Sequence, residues 1–221
     1  MAQVSTNPFL NQVSGRLGNV IFVRGTGGRL YMRERVTPKD PRTPAQVAAR
    51  ERLRTVAIAY HSLTSVELAQ WATYAKSLWN GISPTKRPAS PSPYNEFTAL
   101  VTKVLQVNPQ ADIPRTPPTD KFLGDGITLS AAGMSGKVRF TASGPNDPMV
   151  MTELLLQPLK SVVVTPQVKG YRSQAFVPFA DYPLTYDVTI KKGAYGAAIR
   201  FVKFPTGQTS DLVQLGVVTV T

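Results

Sequence analysis

The chain has no cysteine and a single histidine, His61, in 221 residues. Without cysteine there is no disulfide framework, no thiolate nucleophile and no Cys-based zinc site, in keeping with assembly in a reducing cytoplasm. His61 falls between two predicted helices with no serine–acid pair in recognisable spacing, so it reads as a structural or solvent-exposed residue. No apolar run approaches the ~18–20 residues of a membrane span. The opening MAQVSTNPFLNQ lacks the charged and apolar regions of a signal peptide, and the expectation is a soluble product that stays where it is made. Acids are few, 13 Asp+Glu against 25 Lys+Arg. Asp120, Asp125, Asp147, Asp181 and Asp187 are scattered among predicted turns and strands and make no calcium-loop pattern. Gly25-Thr26-Gly27-Gly28 lacks the Gly-Lys-Ser/Thr that a phosphate-cradling loop needs. Gly133-Met134-Ser135-Gly136 is one residue short of a nucleophile elbow and reads as a turn. The sequence therefore predicts no catalytic residue, no metal, no cofactor and no enzyme.

What the chain does have is charge of one sign and enough apolar residues, 42% of the total, to pack as a globular protein. The net charge is +12. Residues 1–60 carry ten Lys/Arg against three acids, residues 61–113 about +1 and residues 114–221 about +4. A basic surface attracts polyanions without sequence preference. Here, however, the excess sits mainly in one segment, not in a stripe along a groove. Arg16, Arg24, Arg29, Arg33, Arg35, Arg42, Arg50 and Arg54 are its candidate contact residues, with Arg52 beside them. Arginine's planar fork suits bidentate pairing with carboxylates of another subunit. Nucleic-acid binding through the same arginines is the alternative.

The pattern along the chain divides it. Residues 1–18 show no steady period, and Asn7-Pro8, Gly15 and Gly18 mark extended chain or loop. Residues 19–24 and 29–36 flank the Gly-rich 25–28 and read as a β-hairpin. In it Leu30, Met32 and Glu34 alternate with Tyr31, Arg33 and Arg35. A two-stranded ribbon is marginal alone and needs something to rest on. Thr43-Pro44 has the form of a helix start, and Ala49, Leu53, Val56, Ala57 and Tyr60 recur at helical spacing over 44–62. Arg50, Arg52 and Arg54 fall on its other faces. Thr64-Ser65-Val66-Glu67 fits a capping box before Leu68, Trp71, Ala72, Ala75 and Leu78. Trp71 and Trp79 read as helix-core residues. The proline-rich 80–93 predicts a loop, and a third helix follows to about Val107 with Phe97, Leu100, Val101, Val104 and Leu105 inward. Residues 109–125 read as a proline-stiffened linker. Beyond it the period changes from 3.6 to 2, with runs near 127–131, 137–142, 149–157, 161–165, 173–179, 184–191, 195–204 and 211–220. Such spacing predicts an antiparallel β-sandwich. The last pair of runs, YGAAIRFVKFPTGQTSDLVQLGVVTV, resembles the closing hairpin of fibronectin III-like domains. The expected organisation is α+β: basic arm and hairpin over 1–42, three-helix module over 43–108, linker 109–125, and a sandwich over 126–221 that this resemblance implies is immunoglobulin- or fibronectin III-like.

Ser14-Gly15-Arg16-Leu17-Gly18-Asn19-Val20, then Pro41-Arg42-Thr43-Pro44-Ala45-Gln46, Arg50 and Trp71, resemble a family of uncharacterised proteins in phage and prophage-like settings. The likeness covers residues 7–79 and brings no activity with it. It implies a virion or assembly component, of the decoration, collar or tail kind, with the sandwich appended as a second module. The partners implied are other virion proteins and copies of the chain itself, with non-specific nucleic-acid contact possible and no membrane. The implied location is the virion, assembled in host cytoplasm. A carbohydrate-binding sandwich is a further alternative, for which Tyr171, Tyr182 and Tyr195 are the aromatics in question.

Overall fold

The computed structural model describes residues 2–3, 15–24, 29–78 and 92–221, the side chains of 2, 3 and 24 excepted. Its contacts divide the chain into two compact units, Met1–Gln46 and Val47–Thr221. In the first, the predicted hairpin is present as β3 (Val20–Arg24) and β4 (Leu30–Glu34), paired antiparallel from Val20↔Glu34 to Arg24↔Leu30. The Gly-rich loop between them lies outside the described residues. The expectation of extended chain or loop over residues 1–18 is met as extended chain where those residues are described, and pairing is added to it. β1 (Ala2–Gln3) and β2 (Gly15–Leu17) add to the hairpin, making a four-stranded antiparallel sheet in the order β1-β4-β3-β2. β2 returns into β3 through Gly18-Asn19, where Gly18 takes φ +58. A left-handed residue of this kind is what a two-residue hairpin turn requires, and glycine supplies it without steric cost.

Three helices follow, all but the first three residues of α1 within the second unit. α1 (Pro44–His61) starts where predicted: Gln46 N donates to Thr43 Oγ1 at 3.4 Å, and Thr43 N donates to the Gln46 side chain at 3.2 Å. α2 (Ser65–Ser77) carries the full capping box. α3 (Pro93–Val107) is capped by Ser92 with Pro93 in the first turn. Val56, Leu63, Trp71, Phe97, Val101 and Leu105 form the helical core, with Trp71 and Phe97 edge-on at 5.1 Å. The predicted apolar face of α1 holds at Ala49, Val56, Ala57 and Tyr60, which are buried or half-buried, and fails at one position. Leu53 is 49% exposed, and Arg52 takes the half-buried position one turn before Val56. The buried stripe runs 52–56–59/60–63, a register that the Arg-rich first half of the helix hides. Trp79 and most of the predicted loop 80–93 lie outside the described residues.

The remaining strands form the sandwich. One sheet is β5 (Leu129–Met134), β6 (Lys137–Ala142) and β9 (Thr185–Thr189), in the order β5-β6-β9. The other runs from β8 (Arg172–Val177) through β7 (Val150–Leu159) to β10 (Gly193–Lys203), whose far edge pairs with β11 (Gln208–Thr209) and β12 (Val213–Val220). Three strands face five, which is the three-plus-four arrangement of a fibronectin III-like domain with the two-residue β11 added at the edge of β10. It also has a tyrosine corner, with Tyr195 Oη at the start of β10 donating to Lys191 O at 2.9 Å. Val138, Phe140, Leu154, Leu156, Ile199, Phe201 and Val220 fill the space between the sheets. The run predicted as a strand near 161–165 forms none. Val162, Val163 and Val164 are 56%, 86% and 41% exposed in the connection from β7 to β8. Their β-branched side chains suit a strand, but no neighbouring strand is there to pair with, and context decides.

α3 lies on the outer face of the β7–β10 sheet. Lys103 Nζ reaches both oxygens of Glu153 on β7 at 3.1 Å, with side chains only 16% and 3% exposed. Gly207 sits so close that a Cβ there would stand 2.0 Å from Leu100 O. The proline-rich residues 109–125 are packed within this same unit. Trp71 Nε1 donates to Arg115 O at 2.8 Å, Gln208 Nε2 donates to Asp120 O at 2.6 Å, and Phe122 packs against the sandwich core.

Candidate assembly interface

Opposed residues of an antiparallel ladder project to the same face, so the register sorts the N-terminal sheet into two surfaces. One carries Leu17, Val20, Phe22, Leu30 and Met32, ending in Glu34. The other carries Arg16, Ile21 and Arg33 in one cross-strand row, with Val23 and Tyr31 in the next. Val20, Ile21, Phe22, Val23, Leu30, Tyr31 and Met32 are all only half-buried, and Leu17 is 73% exposed. Among the described residues of this unit no side chain is fully buried; the buried core of the chain begins at Val56.

The structure distributes the eight candidate arginines unevenly. Arg16 and Arg33 share a face of the sheet, on either side of Ile21. Arg16 Nε donates to Gly18 O at 2.9 Å, which holds the side chain along β2. Arg24 ends β3 opposite Leu30, its side chain outside the description. Arg29 is exposed at the entry to β4, and Arg35 follows β4, its amide bonded to Asn19 O at 2.8 Å. Arg42 adopts φ +46 and lies 3.8 Å from Asp40. Arg50 and Arg54 belong to α1 within the other compact unit, where Arg54 meets Glu51 at 3.9 Å. Glu34, the one acid among residues 1–39, accepts from Asn19 Nδ2 at 2.8 Å on the opposite face.

Elsewhere the polar clusters are structural. Glu67 completes the α2 cap and also takes Arg115 Nε at 2.7 Å and Nη2 at 2.9 Å; those hydrogen bonds, with the Thr64 amide, hold its carboxyl down to about 2. On β9, Asp187 accepts from Arg139 at 2.7 and 2.8 Å and from Lys137, and these donors keep it well below the usual carboxylate range. Asp125 accepts from Asn146 Nδ2 and the Asp147 amide, each at 2.9 Å, pinning two loops of the sandwich. His61 is exposed at the end of α1. Among the described residues no group of three or more His, Asp or Glu is placed to hold a metal ion. Nor is any helix among them long and apolar enough to cross a membrane. A groove of about 820 Å³ runs between α2 and residues 116–121, walled by Val66, Tyr74, Leu78, Pro117 and Pro118.

What the sequence reading missed is the outer strand β2, and the signal was present: Gly18-Asn19 is a hairpin-turn dipeptide, but Arg16-Leu17 before it is too short a run to register as a strand.

The chain matches no protein-family model and no curated protein. Among solved structures, similarity is found to the pectate lyase Pel3 of Pectobacterium carotovorum, at 12% identity and TM-score 0.30 over 43% of this chain and 27% of that one. The fibronectin type III domain of human fibronectin type III domain containing protein 3 matches at 12% identity and TM-score 0.27, over 45% and 91% of the two chains. An entomopoxvirus fusolin matches at 12% identity and TM-score 0.27, over 83% and 67%. At such scores no activity follows from the likeness.

Proposed function

We propose that the chain is a non-enzymatic structural protein of a virion, of the decoration, collar or tail kind, which meets neighbouring subunits through its N-terminal sheet. One observation carries this reading. The second unit encloses its own cores, whereas the described part of the first exposes apolar residues on both faces of a sheet and fully buries none. Such a sheet cannot offset the entropy of ordering its backbone unless something covers it. Subunits of a repeating assembly supply that cover, and elements that order on assembly suit the task. The resemblance of residues 7–79 to phage-type proteins points the same way.

The test is incorporation. The full chain co-sediments with particles from the producing cell, while a form lacking residues 1–46 stays at the top of the gradient. If the shortened form enters particles at normal copy number, the reading is wrong. The non-enzymatic part is tested apart from this. Hydrolase and nuclease screens with added metals show no turnover above a heat-killed control, and reproducible turnover abolished by His61→Ala overturns it.

A further inference from the structure

The two faces of the N-terminal sheet are chemically unlike, and one of them specifies the kind of partner it fits. The row Arg16–Ile21–Arg33 crosses three adjacent strands. With strands about 4.8 Å apart, the two arginine Cα atoms stand roughly 10 Å from each other with an aliphatic side chain between them. Val23 and Tyr31 extend the apolar centre along the strands. Among the described residues neither Arg16 nor Arg33 meets a carboxylate, and Glu34, next to Arg33 on β4, projects to the other face.

Resting on the reading of this sheet as an assembly surface, we propose that the Arg16–Arg33 face docks on an acidic protein surface, one that presents carboxylates around an apolar centre. Charge complementarity rules against a second copy as the occupant. Each copy carries +12 overall, and residues 1–46 hold seven Lys/Arg against two acids. The chain's well-placed carboxylates are already engaged by its own cations: Glu67 by Arg115, Glu153 by Lys103, Asp187 by Arg139 and Lys137. Nucleic acid is disfavoured by the middle of the face. Phosphate recognition wants donors throughout, whereas Ile21 and Val23 offer none. A tyrosine and aliphatic centre with an arginine rim is the composition of a protein–protein contact.

The test titrates the full chain with a synthetic strand peptide in which Glu, Val or Phe, and Glu occupy successive alternate positions with Ser between them, so that one face presents carboxylates on either side of an apolar residue. Polyglutamate and a single-stranded oligonucleotide of equal charge serve as comparison probes. The peptide binds about tenfold or more tightly than polyglutamate, and Ile21→Ala removes that preference. Arg16→Glu with Arg33→Glu weakens peptide binding by about tenfold per lost guanidinium contact. Because charge reversal can unfold a small sheet, Arg16→Lys with Arg33→Lys is the second variant. It keeps the charge, loses the fork, and weakens peptide binding while leaving polyglutamate binding unchanged. Absence of peptide binding overturns the proposal, as does equal binding of polyglutamate that Ile21→Ala leaves alone. Tightest binding to the oligonucleotide assigns the face to nucleic acid. A doubled mass in light scattering that Arg33→Glu abolishes assigns it to a second copy. Any of these can occur while particle incorporation still depends on residues 1–46, so failure here is separate from failure of the assembly reading.

Discussion

Lys103 and Glu153 meet under α3, out of water, and the pair is more consequential when broken than when replaced. Lys103→Met leaves a carboxylate buried without a partner and is expected to cost about 3–5 kcal/mol, whereas Lys103→Met with Glu153→Leu is near neutral. Urea unfolding of the two variants measures the difference. Glu67 and Arg115 act on acid stability. The Glu67 carboxyl is held at about 2, below its ordinary value, by Arg115 and the Thr64 amide. A depressed carboxylate contributes stability that is present above its unfolded pKa and lost as pH falls towards the folded one. The melting-temperature gap between the native chain and Arg115→Ala is therefore open at about pH 7, narrows below about pH 4.5 and closes near pH 2. Half of this cluster was legible in the sequence. Thr64-Ser65-Val66-Glu67 announces its cap because the cap is local, but Arg115 lies 48 residues away and no periodicity links the two. Arg52 shows the opposite failure, since an arginine reads as solvent-facing and here it is half-buried, one turn before Val56.

Elements were legible where their period was strong and their partners were close in sequence. α2, α3 and the closing β10–β12 hairpin needed no tertiary information. The run at 161–165 shows why that limit exists, since valines in a row state a preference that only a paired neighbour can satisfy. Gly207 is the element-level detail no sequence pattern reveals. It sits against Leu100 O at φ +74, so Gly207→Ala must push α3 off the sheet or strain the turn. A loss of more than about 1 kcal/mol is expected, measured by chemical denaturation. Tyr195→Phe, which removes only the hydroxyl of the tyrosine corner, is expected to cost about 0.5–1.5 kcal/mol. A fragment spanning 115–221 keeps every strand of the sandwich and is expected to melt cooperatively with a β-type circular dichroism spectrum. Its melting point falls below that of 47–221 because α3 no longer covers Glu153. An unfolded fragment would show that the helices are required for the sandwich.

At the scale of the whole molecule the charge excess divides unequally with respect to structure. Residues 1–46 carry +5 on a sheet that encloses no core among its described residues, while residues 47–221 carry +7 spread over a body with cores of its own. The concentration of arginines was plain in composition. The sorting of Arg16 and Arg33 onto one face was not, because it depends on the register that Gly18-Asn19 sets between β2 and β3. The fold class, α+β with an antiparallel β-sandwich, was visible in the change of hydrophobic period, while its fibronectin III-like character came from the resemblance of the closing pair of strands over 195–220.

Protease sensitivity follows from how the proline-rich stretch is held. By composition, residues 109–125 look like the place to cut this protein in two. Yet the Arg115 guanidinium is clasped by Glu67 and by Ser62 O at 2.9 Å, and its carbonyl is bonded to buried Trp71. A trypsin pocket must draw that side chain out before the Arg115-Thr116 bond can be hydrolysed. Lys39 and Arg42 lie in an exposed connection just ahead of α1 and close to the division between the two compact units. Brief digestion is expected to release a fragment beginning at Asp40 or Thr43 long before any cut at Arg115, and the order in which bands appear on a gel reads the molecule's true seam.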